Sequence, residues 1–170
     1  MAEPSPRVSS LIRATLFVRD LDRSAAFYAA LGFDSVYYQG TLHDPSASQI
    51  LGFADHGPLS VRIVKPAAHA ANYGMIGLFL IDPALTPDVV PPATGPARVG
   101  EVALIFYITD MAATLAALRA AGATWSPAPQ LFVMAHRAQA EVCLRDPDGV
   151  LINLVETDPA EQHLTGQEGA

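Results

Sequence analysis

The chain has 170 residues, 51% of them apolar and 16% charged, which is enough to bury a core and excludes a disordered polymer. Its net charge is −7, and Lys65 is the one lysine among ten basic residues, so no basic stripe exists for nucleic acid or an anionic membrane surface. A single cysteine, Cys143, excludes an internal disulfide and a cysteine-built metal cage. No apolar run reaches the roughly 20 residues of a membrane span. The first residues carry neither the charged nor the apolar region of a secretion signal, which predicts a cytoplasmic protein.

In chain order, residues 11–19 read as a strand and 20–31 as a helix. Strand-like runs follow at 35–42, 59–65 and 75–81, with room for a short helix within 43–53. A second strand–helix pair occupies 101–109 and 110–121, followed by strands at 129–134, 139–145 and 150–156. The two strand–helix pairs repeat at an offset of 90 residues, matching Leu16 with Phe106, Asp20 with Asp110, and Gly32 with Gly122. Each Asp is placed to cap a helix N-terminus, and each Gly stands where a helix ends and positive φ is needed. Met111, Leu115 and Leu118 form an apolar helical stripe, and Leu21, Ala25, Tyr28 and Leu31 form a weaker one. Asp146-Pro147-Asp148-Gly149 is a turn joining the last two strands. Residues 1–9 and 159–170 read as tails, 82–97 with five prolines as a linker, and 10–81 and 98–158 as two βαβββ modules.

This tandem arrangement, with Phe17-Val18-Arg19-Asp20-Leu21-Asp22-Arg23-Ser24, Phe27-Tyr28 and Leu31-Gly32-Phe33, resembles the vicinal oxygen chelate superfamily over roughly residues 10–158. That superfamily includes glyoxalase I, bleomycin-resistance proteins and extradiol dioxygenases. The resemblance implies an α+β fold in which tandem βαβββ modules form a concave, eight-stranded mixed sheet around a small-molecule site, and it implies a homodimer. Metal-using members carry ligands at four strand positions, which fall here on Arg13, Gly77, Ala103 and Asn153. Arginine has no lone pair to donate, glycine and alanine have no donor side chain, and Asn153 offers one weak oxygen. The expectation is therefore a metal-free, cofactor-free site and neither glyoxalase I nor extradiol dioxygenase chemistry.

Strand alternation sets Leu16, Val18, Ile12 and Ala14 under the first helix and Arg13, Thr15 and Phe17 in the cleft. The same reading gives the cleft Glu101, Ala103, Ile105 and Tyr107, with Gly77, Phe79, Asn153 and Val155 from the closing strands. The candidate ligand-binding set is thus Arg13, Thr15, Phe17, Phe79, Glu101, Tyr107 and Asn153. Arg13 is a fork for an oxyanion or an internal partner for Glu101. Glu101 is a general base or a solvated rim residue, and His136 a proton carrier at the cleft mouth or part of a solvated hairpin. The other histidines, His43, His56, His69 and His163, read as loop or tail residues.

Two functions remain open, beside a scaffold that binds no ligand. One is a metal-independent isomerase or lyase with Arg13, Glu101 and His136 as catalytic candidates. The other is a protein that sequesters an antibiotic or metabolite without turnover, where the charge of −7 suits a cationic ligand.

Overall fold

The computed structural model describes residues 9–53, 57–82, 92–134 and 137–157. The tails, most of the linker, His56, His136 and His163 lie outside the described residues. The chain divides into two compact units, Met1–Val89 and Val90–Ala170.

In the first unit, β1 (Arg13–Phe17) leads into α1 (Leu21–Ala30), followed by β2 (Ser35–Leu42), a short α2 (Ser46–Ile50), β3 (Leu59–Lys65) and β4 (Met75–Ile81). The sheet order is β1-β4-β3-β2, with β1 parallel to β4 and the other neighbours antiparallel. Asp20 caps α1, its Oδ1 accepting from the amides of Asp22 and Arg23 at 2.9 Å each. Gly32 ends the helix at φ 94°, a region open to glycine at little steric cost.

The buried face of α1 centres on Ser24, Phe27 and Tyr28. The stripe expected along Leu21, Ala25, Tyr28 and Leu31 is therefore turned, because the two aromatic rings dominate the packing. Phe27 and Tyr28 meet edge to face at 5.2 Å, and Tyr28 meets Phe33 at 6.1 Å. Each such buried ring contributes on the order of 1.5–3 kcal/mol of transfer free energy. Ile12, expected under the helix, is instead 50% exposed, one residue before β1 begins.

The second unit repeats the plan with β5 (Ala103–Ile108), α3 (Met111–Ala120), β6 (Gln130–Met134), β7 (Arg137–Arg145) and β8 (Leu151–Glu156), in the order β5-β8-β7-β6. Asp110 caps α3 through Ala113 N at 2.8 Å. Glu156, on β8, accepts from Met111 N at 2.6 Å and ties the sheet to the same helix end. The expected stripe of Met111, Leu115 and Leu118 is buried. In the turn, Asp146 Oδ1 accepts from Asp148 N and Val150 N, and Gly149 N donates to Asp146 O at 3.0 Å. The eight strands are thus divided equally between two mixed sheets. Among the described residues, no helix is long and apolar enough to cross a membrane.

Candidate functional site

Which face of the first sheet is open follows from one ion pair. Arg62 on β3 reaches Asp22 of α1 at 2.9 Å, so the side chains in its row, Leu78 and Leu16, lie on the helix side. One residue along, Thr15, Gly77 and Ile63 form a row on the opposite face. Much of that opposite face is already filled. Leu59, Val61, Ile63 and Met75 form a buried cluster, and Leu42, Ala47, Leu51, Phe79 and Ile81 pack against it. What stays accessible is the β1 margin, where Arg13 and Thr15 are half-buried and Phe17 is 50% exposed.

Arg13 is the centre of this margin. Its Nε donates to Thr15 Oγ1 at 3.2 Å, and its guanidinium carbon lies 5.7 Å from the centroid of the Phe79 ring. Phe17 meets Phe79 edge to face at 6.3 Å. A Cβ at position 77 would lie only 2.7 Å from Arg13 Cδ, so the absence of a side chain at Gly77 is what lets Arg13 cross β4. Among the described residues of its unit, Arg13 has no acidic partner, and neither of its terminal nitrogens is engaged. Of the expected binding residues, Arg13, Thr15, Phe17 and Phe79 are therefore brought together. Gly77, read in the sequence as a cleft-facing position without a donor, is the residue that seats them.

Of the remaining expected residues, Tyr107 and Asn153 share one face of the second sheet, and Glu101 is committed elsewhere. Glu101 is held by Arg145, whose two terminal nitrogens reach the two carboxylate oxygens, and by the Arg98 amide at 3.0 Å. Arg145 also donates to the carbonyls of Gly95, Pro96 and Gly149, closing a knot between the chain before β5 and the β7–β8 turn. The hydrogen bonds from Arg145 hold the Glu101 carboxyl down at about 2, well below its ordinary 4.5. A general base needs the reverse, a carboxyl raised toward neutrality. The expected pairing of Glu101 with Arg13 is thus replaced by an ion pair internal to the second unit. Sequence reasoning had no signal for it, since Arg145 read as an ordinary strand-end residue.

Tyr107 is exposed on β5, two positions along the same face from the residue that pairs with Asn153. Asn153 donates from Nδ2 to Glu141 Oε2 at 2.8 Å, while its Oδ1 is buried without a hydrogen-bond partner among the described residues. Cys143 pairs across the sheet with Asn153, and its thiol is pushed up by burial and by the Glu141 charge.

The four positions to which the resemblance assigns metal ligands do not fit a divalent ion. Arg13 Cδ fills the space over Gly77, and Asn153 is engaged with Glu141. Among the described residues, no group of three or more His, Cys, Asp or Glu stands together to hold an ion.

Residues 10–154 match the family model of the Glyoxalase/Bleomycin resistance protein/Dioxygenase superfamily. The chain belongs to that superfamily. Solved structures agree on the fold of this superfamily member. A glyoxalase family protein from Bacillus cereus is similar at 17% identity and a TM-score of 0.67, covering 92% of this chain and 97% of that one. A superfamily member from Sphaerobacter thermophilus is similar at 20% identity and a TM-score of 0.52, covering 88% and 98%. A fosfomycin resistance protein from Listeria monocytogenes, solved with Mn(II) and 1S,2S-dihydroxypropylphosphonic acid, is similar at 15% identity and a TM-score of 0.54, covering 91% and 94%. No curated protein matches the sequence.

Proposed function

We propose that this superfamily member binds a small, partly apolar anion at Arg13, with no metal in the site. The observation that carries this reading is the state of Arg13 itself. Its guanidinium is half-buried and oriented by Thr15 and Phe79, and its terminal nitrogens are unengaged among the described residues. A half-buried, pre-oriented fork of this kind binds a carboxylate or other oxyanion more strongly than a mobile surface arginine does.

Sequestration without turnover is better supported than isomerase or lyase chemistry. The engagement of Glu101 by Arg145 removes the carboxyl that would have moved a proton. Dimerisation belongs to the same reading. The outer strands β2 and β6 present exposed Val36, Tyr37 and Tyr38, and Leu131, Phe132 and Val133, without a lysine or proline to blunt either edge.

A thermal-shift titration with small acids and with Ni²⁺, Zn²⁺, Fe²⁺ and Mn²⁺ tests the site. An acid at about 100 times its Kd adds ~2.7 kcal/mol of stability. The expected result is stabilisation by an acid, its loss in Arg13→Ala, and no effect of metals. Saturable stabilisation by a metal, or an acid effect that survives Arg13→Ala, overturns the reading.

A further inference from the structure

We infer that the Arg13 site selects a compact aromatic monocarboxylate, an inference that rests on the proposed anion site and narrows its ligand class. Three features of the first unit converge on it.

The first is which edge of the guanidinium is presented. Nε is held by Thr15 Oγ1 at 3.2 Å, so the edge that includes Nε is already in use. The remaining edge, formed by the two terminal nitrogens, carries two parallel N–H bonds and matches the two coplanar oxygens of a carboxylate.

The second is charge. The other cations of these strands are committed elsewhere. Arg62 is on the helix side with Asp22, and the Lys65 ammonium donates to Asn72 Oδ1 at 3.0 Å and Ala70 O at 3.4 Å. One positive charge in a chain of net −7 balances one negative charge and opposes a dianion.

The third is space. The cluster of Leu59, Val61, Ile63 and Met75, covered by Leu42, Ala47 and Leu51, closes the rest of the face. Phe79 lies between Arg13 and the half-exposed Phe17 ring, 5.7 Å from the guanidinium carbon and 6.3 Å, edge-on at 71°, from the Phe17 centroid. An aromatic ring held beside Arg13 gains stacking on the exposed Phe17 ring that a saturated ring does not.

Calorimetric titration of the full chain with benzoate, cyclohexanecarboxylate, phenyl phosphate and benzamide tests the inference. Phenyl phosphate supplies the double charge near neutral pH. Benzoate is expected to bind about tenfold more tightly than cyclohexanecarboxylate or phenyl phosphate, and benzamide not at all. Phe17→Leu should weaken benzoate more than cyclohexanecarboxylate and so narrow the difference between them. Arg13→Lys, which keeps the charge and loses the fork, should weaken benzoate about tenfold. Equal or tighter binding of phenyl phosphate or cyclohexanecarboxylate overturns this inference and leaves the anion site standing. Binding of none of the three anions overturns both.

Discussion

Arg13 occupies the space that a side chain at position 77 would need, with Arg13 Cδ 2.7 Å from where a Cβ on Gly77 would stand. The same contact explains how a bulky cation on the edge strand folds across β4 so that its guanidinium lies over Phe79. It also makes the pair a single unit in which changing either member alters the other.

Gly77→Ala is therefore expected to displace the Arg13 side chain while leaving the fold intact. Filling a packed position costs about 1–3 kcal/mol. The urea midpoint should fall accordingly, and benzoate stabilisation should weaken with it. The double variant Gly77→Ala with Arg13→Ala should recover most of the stability and none of the binding. A double variant no more stable than Gly77→Ala would show that the two residues are not coupled through this space.

The Glu101–Arg145 pair sets an acid limit on the second unit. Its carboxyl sits at about 2 in the folded chain against an ordinary 4.5, so its stabilisation is complete above 4.5 and is lost as pH falls toward 2. Stability of the wild type should decline across that window, and Glu101→Gln should be less stable at pH 7 and show a flatter decline. Chemical denaturation at a series of pH values measures both. The same slope in variant and wild type would remove Glu101 from the account.

Capping gives a prediction for each unit. Asp20→Ala removes two acceptor bonds at α1, and Asp110→Ala removes the one from Ala113 at α3. Each should cost about 1 kcal/mol, read as a shift in denaturant midpoint. Asp110→Ala should be the milder of the two, because Glu156 still holds the Met111 amide.

Cys143 is exposed, yet its thiol is raised by burial and by Glu141. Alkylation by iodoacetamide should be slow at neutral pH and accelerate only in alkali, since the thiolate is the nucleophile. Glu141→Gln should quicken it. Fast labelling of the wild type at pH 7 would contradict that picture.

Light scattering at micromolar concentration should return the mass of two chains. Substituting Phe132→Lys and Val133→Glu on the β6 edge should return a single-chain mass if that edge is the contact, and the matching charges on Tyr37 and Tyr38 test β2. A single-chain mass for the wild type would end the dimer proposal.

The sequence by itself determined the repeat, the two capping aspartates, the glycines at the helix ends, and the bounds of β2, β3 and β4. Each of these is a local signal, in which neighbouring residues set φ, a capping bond or an alternation without reference to distant chain. Alternation also placed Arg13, Thr15, Phe17 and Phe79 on one face. It could not say which side chains on that face touch, because neighbours across a sheet depend on register. Tertiary structure alone decided that Gly77 makes room for Arg13 and that Leu51 and Ala47 close most of the face. It likewise gave Glu101 to Arg145, 44 residues away, rather than leaving it available as a base. A charge is committed by the partner that reaches it with aligned hydrogen bonds, and that partner is chosen by how the strands come to lie beside one another.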